Sequence, residues 1–370
     1  MKKYLSIICA AAMMLSACDK KEDNAVSTKP IVKIGATFPF SGSAAEAGIV
    51  TREAMEMTLE NLRRKGMKYN YEVIYEDNQL NPQKVATTTN KLINMDKVDA
   101  VFSFWGLMGN VAADIADKNE VMSFSSTFGN YSNRGQYSYN LSSTYEAEAK
   151  LMADELKKRG IKSVAFFVDS SEISDQYVAL EKELKENSDI KIVFNEKFNS
   201  GEKDYKMAII KAQSFNPDLY FISGYAPSPY LFLKQLKEIT GHNDNVTSFD
   251  TLSEIDTKDR GIAEGLWYLD SNLGGTEEFM SELQEKKGVN PQSCTGSMSA
   301  GLEIFINAVE NTGVSNDGKI DKDRVNTWIM NNIKNYPSYV GLLNVMDNHK
   351  IKVNAVIKEI KDGKTQRIKD

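Results

Sequence analysis

The sequence predicts an α/β protein built as two doubly wound, Rossmann-like lobes. Strand and helix patterns alternate over residues 31–124, and the same alternation restarts at residue 145 and runs to residue 270. Alternation of this kind is typical of parallel strands connected by crossover helices. A chain of 370 residues is also longer than a single hydrophobic core usually serves.

The first strand and helix frame the first lobe. Residues 31–36 are a short apolar run, and Val50 and Met57 recur at helical spacing after a glycine-serine turn. Ser43 precedes Glu46 by three residues, which predicts a capping box at the start of the helix. The helix N-terminus then faces the carboxyl end of the strand, where open α/β sheets bind ligands.

Further elements follow in order. In the first unit we expect strands at residues 71–76, 100–104 and 121–124 and helices at 82–94 and 109–118. In the second we expect strands at 163–168, 191–198, 219–223, 246–248 and 265–270 and helices at 145–160, 175–185, 205–214 and 230–240. Helices at 276–287, 297–311 and 322–330 and a β-rich tail at 342–360 complete the chain.

The first seventeen residues have the pattern of an export signal. Two lysines precede an apolar segment, residues 4–15, that is too short to span a bilayer stably. The sequence LSAC then resembles a bacterial lipobox, whose cysteine is diacylated and anchors the protein to a membrane. We therefore expect a signal peptide over residues 1–17, lipidation of Cys18 and a flexible tether over residues 18–30. The alternative is an ordinary signal with an incidental cysteine.

Composition excludes several functional classes. Hydrophobic and charged contents of 41% and 26% are typical of a globular protein. Without residues 1–17 the chain has 43 cationic and 51 anionic side chains, a charge of −8, which argues against nucleic acid as a partner. Cys294 is then the only cysteine of the mature fold, so no intramolecular disulfide is expected.

The sequence offers little for enzymatic chemistry, and we expect no enzyme. The only histidines, His242 and His349, lie far apart in polar segments, and no Walker A or dinucleotide glycine pattern is present. The spacing around residues 315–318 does not fit an EF-hand, so we expect neither a metal nor a cofactor. Acid counts alone leave carboxylate-pair hydrolysis open.

Four segments resemble type I periplasmic binding proteins, and most of all the leucine/isoleucine/valine-binding subfamily of ABC importers. They are IVKIGATFPFSGSAAEAG, GEKDY, NPDLYFISGY and AEGLW, in this order from residue 31. The resemblance implies two lobes joined by three crossovers that close on a ligand. It implies a first lobe of residues 31–142 and 271–338 and a second of residues 143–270 and 339–370.

The resemblance also implies which residues contact the ligand. Ser125 corresponds to a backbone carbonyl contact, and Thr127 to a hydroxyl and N–H contact. Asp250 corresponds to the acid that receives an ammonium, and Tyr225 to an aromatic wall. From the residues alone, Asp250 can instead cap a helix and Tyr225 can be a packing residue.

Other positions depart from the family. Its paired serines are Leu107 and Met108 here, although the backbone N–H groups of residues 107–109, including that of Gly109, can still bind an anion at a helix N-terminus. Trp105 is either a pocket wall or part of the core, and Ser41 is placed at the cleft edge. Family aromatics are missing at Ala47 and Ile173, which implies a larger or more apolar pocket.

We therefore expect an exported, lipid-anchored solute-binding protein on the periplasmic or extracytoplasmic face of a bacterial membrane. It would act as a monomer, capture a small amino-acid-like ligand by hinge closure and deliver it to an ABC transporter permease. Two alternatives stay open: a ligand-sensing subunit of a membrane receptor, and an extracytoplasmic hydrolase on the same architecture.

Overall fold

The structure of the chain, a computed structural model, describes residues 29–127, 135–171, 173–255 and 257–368, without the side chains of Glu254 and Thr257. The predicted signal peptide, Cys18 and most of the tether lie outside the described residues. Across the described ranges, no helix combines the length and the apolar character needed to cross a membrane.

The first lobe is built on an eight-stranded sheet. Six of its strands are parallel, and a short antiparallel hairpin extends them at one edge. Its strands are β1 (Ile31–Phe38), β2 (Asn70–Asp77), β3 (Ala100–Phe104), β4 (Met122–Ser126), β5 (Ser138–Ser142), β11 (Tyr336–Ser338), β12 (Gly341–Val345) and β13 (Lys350–Lys352). Their order is β11-β12-β13-β5-β4-β3-β1-β2. The helices are α1 (Ala45–Lys65), α2 (Pro82–Asn94), α3 (Gly106–Lys118), α8 (Glu277–Lys287), α9 (Thr295–Thr312) and α10 (Lys322–Asn332).

The second lobe has a four-stranded parallel sheet that continues into a three-stranded antiparallel one. The parallel strands, in the order β7-β6-β8-β9, are β6 (Ser163–Asp169), β7 (Lys191–Phe198), β8 (Leu219–Ile222) and β9 (Val246–Thr247). The antiparallel strands are β10 (Trp267–Asp270), β14 (Val356–Lys361) and β15 (Lys364–Arg367). The helices are α4 (Tyr145–Lys158), α5 (Ser174–Asn187), α6 (Lys206–Gln213) and α7 (Ser228–Thr240), with 3₁₀ turns at Asp250–Glu254 and Thr257–Ala263.

Stacked aromatic rings form the centre of the first lobe. Phe102, Phe124 and Tyr139 lie on neighbouring strands, with ring centroids 5.0 and 5.3 Å apart and nearly parallel planes. Phe305 of α9 packs edge-on against Phe124 at 5.8 Å. Because α9 follows the second lobe in sequence, this packing shows that the chain returns to the first lobe. The predicted two-lobed α/β fold class is confirmed.

The predicted boundary between the lobes at residues 338 and 339 differs from the one in the structure. We expected residues 339–370 in the second lobe, but β12 and β13 belong to the first sheet, where β13 pairs in parallel with β5. The backbone N–H of Val353 still bonds to the Ser142 carbonyl at 3.1 Å. Only after this residue does the chain enter β14, which pairs with β10 of the second lobe. The predicted β-rich tail is therefore divided between the two lobes.

Candidate functional site

The predicted site residues lie just after strands of the two sheets. Trp105 and Thr127 follow β3 and β4 of the first sheet, whereas Tyr225 and Asp250 follow β8 and β9 of the second. The carboxyl ends of parallel strands share one edge, and open α/β sheets bind ligands outside that edge. Each group of residues thus lies at the ligand-binding edge of its own sheet.

Gly109 packs helix α3 directly against the loop after β4. A Cβ atom at this position would lie 2.3 Å from Thr127 Cγ2 and 3.4 Å from Ser125 Cβ. Since the shorter distance is far below van der Waals contact, the approach requires glycine. The buried residues Ser125 and Thr127 therefore pack directly against the first turns of α3.

The backbone of Thr127 has a partner that the sequence interpretation missed. Its N–H donates to Asn140 Oδ1 at 2.9 Å, and Asn140 Nδ2 donates back to the Thr127 carbonyl at 3.1 Å. The Thr127 hydroxyl makes only a long bond to the same Oδ1, at 3.4 Å. The N–H that was predicted to contact the ligand is thus already bonded, because β5 lies beside β4 and supplies the acceptor. The contact through the hydroxyl stays a prediction.

The turn from Trp105 to Gly109 combines backbone hydrogen bonds with apolar side chains. Trp105 has a φ of 64° and donates its N–H to the Ser126 carbonyl at 2.9 Å, while its half-buried ring packs edge-on against Phe104. Leu107 is 60% exposed and Met108 is buried. The Gly109 N–H donates to the Trp105 carbonyl at 2.8 Å as the first bond of the helix, so its predicted role as an anion donor is wrong.

The opening turn is held by Asp77. Ser41 Oγ donates to Asp77 Oδ2 at 2.6 Å and the Phe40 N–H donates to Oδ1 at 2.8 Å. Burial opposes ionisation, but these hydrogen bonds hold the pKa of Asp77 below its usual value. The Ser41 hydroxyl is therefore structural. The predicted capping box is also wrong, because α1 begins after Ala44 and makes no side-chain cap.

Tyr225 stands at the cleft edge of the second sheet. It is 45% exposed and lies outside the hydrophobic core clusters of that lobe. The preceding Gly224 has a φ of 142°, and a Cβ there would lie 3.0 Å from Ser228 Cβ, so the turn favours glycine. An exposed aromatic ring at this position suits a ligand wall.

Asp250 is held by Ser271, which lies in the second crossover between the lobes, and it does not cap a helix. Its Oδ1 accepts the Ser271 N–H at 2.8 Å and its Oδ2 accepts Ser271 Oγ at 2.5 Å, and it makes no side-chain cap bond in the 3₁₀ turn that it begins. Burial raises the pKa of Asp250 to about 6, with a further contribution from the negative charge of Asp270. The carboxylate is held in place, yet its charge is poorly compensated.

Cys294, the residue before α9, packs against the end of β4. Its buried Sγ lies 3.8 Å from the carbonyl oxygen of Ser126, the last residue of that strand. Burial raises the pKa of the Cys294 thiol, and the negative charge of Asp250 contributes to the same rise. The start of α9 therefore packs against the strand that carries Ser125.

Two further buried residues of the second lobe were missed by the sequence interpretation. Gln176 Nε2 donates to Glu148 Oε2 at 2.6 Å, and the negative charge of Asp250 acts on Glu148. An acidic residue in the first turn of a helix is usually explained by the helix dipole, so no sequence signal set Glu148 apart.

Among the described residues, no group of three His, Cys, Asp or Glu side chains is arranged to hold a metal ion.

A separate cavity of about 570 Å³ lies between helices α4 and α5 and the turn before β13. Its lining includes Glu146, Lys182 and Lys350, and none of the residues predicted to contact the ligand. The cavity therefore does not coincide with the predicted ligand contacts at the strand ends.

Known proteins resemble the chain over most of its length. The leucine-, isoleucine-, valine-, threonine- and alanine-binding protein of Pseudomonas aeruginosa is 24% identical over 220 residues, which cover 56% of this chain and 57% of that protein. The match thus spans little more than half of that relative.

Two solved structures share the fold. The branched-chain amino acid transporter substrate-binding protein LivJ of Streptococcus pneumoniae, in complex with isoleucine, has a TM-score of 0.75 at 18% identity and covers 92% of this chain and all of that one. A solute-binding protein of an R. palustris ABC transporter, in complex with benzoate, has a TM-score of 0.72 at 14% identity and covers 91% of this chain and 95% of that one.

The family model described as periplasmic binding protein matches residues 31–363, which include both lobes and all three crossovers. The chain belongs to the periplasmic binding protein family.

Proposed function

We propose that the protein captures an amino acid, or a related compound with an ammonium and a carboxylate, between its two lobes. The observation that carries this proposal is the Asp250 carboxylate, which is fixed by Ser271 and poorly compensated in charge. A carboxylate in this situation favours a cationic partner. The relative from P. aeruginosa, which is named for the amino acids it binds, supports the same ligand class.

Each end of the ligand has assigned contacts. The ammonium binds Asp250 and the Ser125 carbonyl. The carboxylate binds the Thr127 hydroxyl and the N–H groups of Leu107 and Met108 at the N-terminus of α3, where the helix dipole favours an anion. Trp105 and Tyr225 form apolar walls around the rest of the molecule.

Binding closes the lobes by population shift. A ligand that contacts both lobes gains its full set of interactions only when they are closed, so it favours closure by that difference in affinity. The closed form is then presented to the permease of an ABC importer. A lipid on Cys18 and a tether over residues 18–30 would keep the monomeric, non-enzymatic protein at the membrane surface near that permease.

A second ligand class is supported by one specific observation. The R. palustris neighbour holds benzoate, which has a carboxylate and no ammonium. Leu107 and Met108 replace hydroxyl side chains of the family, and Leu107 is 60% exposed at the predicted cleft. An aromatic or aliphatic carboxylate is therefore the alternative ligand.

Thermal shift measurements separate the two ligand classes. The purified protein is screened at pH 7.5 against amino acids, their amides, and aromatic and aliphatic carboxylates. We expect a saturable rise in melting temperature with one or more amino acids, because a ligand at a hundred times its Kd stabilises the folded state by about 2.7 kcal/mol. A rise with carboxylates alone would contradict the role of Asp250, and a rise with none would contradict capture of these ligands.

A further inference from the structure

Glu148 lies in the first turn of α4. Thr144 caps this helix by accepting the Ala147 N–H at 3.1 Å. The Glu148 residue is only 1% exposed, and its Oε2 accepts Gln176 Nε2 at 2.6 Å. Its other oxygen, Oε1, is buried and has no hydrogen-bond donor among the described residues. A buried carboxylate oxygen without a donor leaves an interaction unmade.

The hydroxyls of Ser143 and Ser271, in the first and second crossovers, lie beside the Glu148 carboxylate and act to lower its pKa. Neither of them meets Oε1 in hydrogen-bonding geometry. Ser271 Oγ donates to Asp250 Oδ2, and Ser143 Oγ is buried without a partner in hydrogen-bonding geometry among the described residues. Ser271 thus lies between the carboxylates of Asp250 and Glu148. The buried Glu148 Oε1 can still accept a hydrogen bond from an additional donor.

Positive charge around this pair is scarce. Lys358 of β14 forms an ion pair with Asp270 at 3.0 Å, so its charge is largely committed there. Lys350 of β13 is attracted by Glu148, but burial lowers the pKa of this lysine. Glu146, from the same turn of α4, adds a further negative charge near Lys350. The acidic groups at this edge of the lobe therefore outnumber the available cations.

In the absence of a cation, one shared proton lowers the negative charge of the pair from −2 to −1. Burial raises the pKa of Glu148 to about 8, and the negative charge of Asp250 adds to the rise. Burial likewise raises the pKa of Asp250. At neutral pH the two carboxyl groups therefore hold about one proton between them, as interacting acids commonly do.

We propose that Glu148 is a second acid of the ammonium site, and that the ligand's ammonium replaces a proton shared by Glu148 and Asp250. The inference rests on the proposed function, since it needs a ligand with an ammonium group. That group has three N–H donors, which match Asp250, Glu148 Oε1 and the Ser125 carbonyl. The displaced proton passes to bulk solvent, so binding releases a proton and the positive charge of the ammonium takes the place of the proton's charge.

Calorimetry tests this proposal directly. L-Isoleucine is titrated into the wild-type protein at pH 7.0 in two buffers that differ in ionisation enthalpy. We expect release of roughly 0.5 to 1 proton per ligand, because a group with a pKa one unit above the pH is about 90% protonated before binding. Between pH 6 and 8.5 the wild-type affinity is expected to rise, by at most about tenfold per pH unit.

The variant Glu148→Gln removes the charge at nearly constant shape. We expect proton release to fall close to zero, the affinity to become nearly independent of pH above 6.5, and the affinity at pH 8.5 to be at least about tenfold below wild type. Asp154→Asn is the matched control, because Asp154 lies on the same helix with its side chain 55% exposed. It should behave as wild type.

The outcomes distinguish this inference from the proposed function. Isoleucine binding without proton release, and with a pH-independent wild-type affinity, would overturn the role of Glu148 and leave amino acid capture intact. If neither isoleucine nor any other amino acid binds, the proposed function itself is wrong and the inference falls with it. The wild-type pH profile decides the matter even where Glu148→Gln fails to fold.

Discussion

Replacing Asp250 by asparagine is expected to weaken amino acid binding by roughly 30-fold to several thousand-fold. Truncating one partner of a desolvated, hydrogen-bonded charge pair costs about 2–5 kcal/mol, and each 1.4 kcal/mol is a factor of ten in Kd. Asparagine keeps the shape and one acceptor for Ser271, so the fold should be preserved. Isothermal titration with the best amino acid from the thermal screen measures the change.

The stability of the same variant separates a ligand contact from a structural role. Because burial raises the pKa of Asp250 to about 6, its charge opposes folding at pH 7.5, and the ligand-free Asp250→Asn protein should melt at the same temperature as wild type or higher. Asp154→Asn should change neither property. Loss of binding together with a large fall in melting temperature would instead identify Asp250 as a structural residue.

Replacing Gly48 by alanine is expected to destabilise the first lobe by roughly 2–4 kcal/mol. A Cβ at this position of α1 would lie 1.8 Å from the Pro39 carbonyl oxygen and 2.6 Å from its carbon. Both contacts are to backbone, so the turn after β1 must move away from the helix, and overpacking of this kind commonly costs 1–3 kcal/mol or more. Calorimetric melting should show a fall of about 5–10 °C.

Gly261→Ala is the matched control for Gly48→Ala. No atom lies within 4 Å of the added Cβ at Gly261, and its backbone is not in the left-handed region. Its stability should stay within about 0.5 kcal/mol of wild type. Equal melting temperatures for the two variants would show that the opening turn is more adaptable than its close contact indicates.

The alternation of strand and helix patterns was sufficient to predict the two-lobed fold. Period and length identify a strand, but they do not say which sheet it joins. β12 and β13 are short strands that read like the β14 segment after them, and the resemblance to the family implied that all three belong to the second lobe. The difference is decided by pairing with β5, which is distant in sequence.

The sequence indicated where the candidate site residues lie in the chain, but it did not indicate which hydrogen-bond partners they have in the folded protein. Thr127, Tyr225 and Asp250 were assigned from the resemblance to the family, and each of them lies just after a parallel strand, where such sheets bind ligands. Ser41 and Thr127 form bonds to Asp77 and Asn140, whose geometry depends on neighbouring strands. No local pattern encodes such distant partners, which is why a hydroxyl or N–H that looked free is already occupied.

We propose that a carboxylate of the second lobe selects ligands by their ammonium group. The wild-type protein is titrated with the best amino acid from the thermal screen and with the same molecule lacking its amino group. We expect the deaminated compound to bind at least about a hundredfold more weakly, since it leaves Asp250 without a cationic partner. Equal or tighter binding of the deaminated compound would contradict the account.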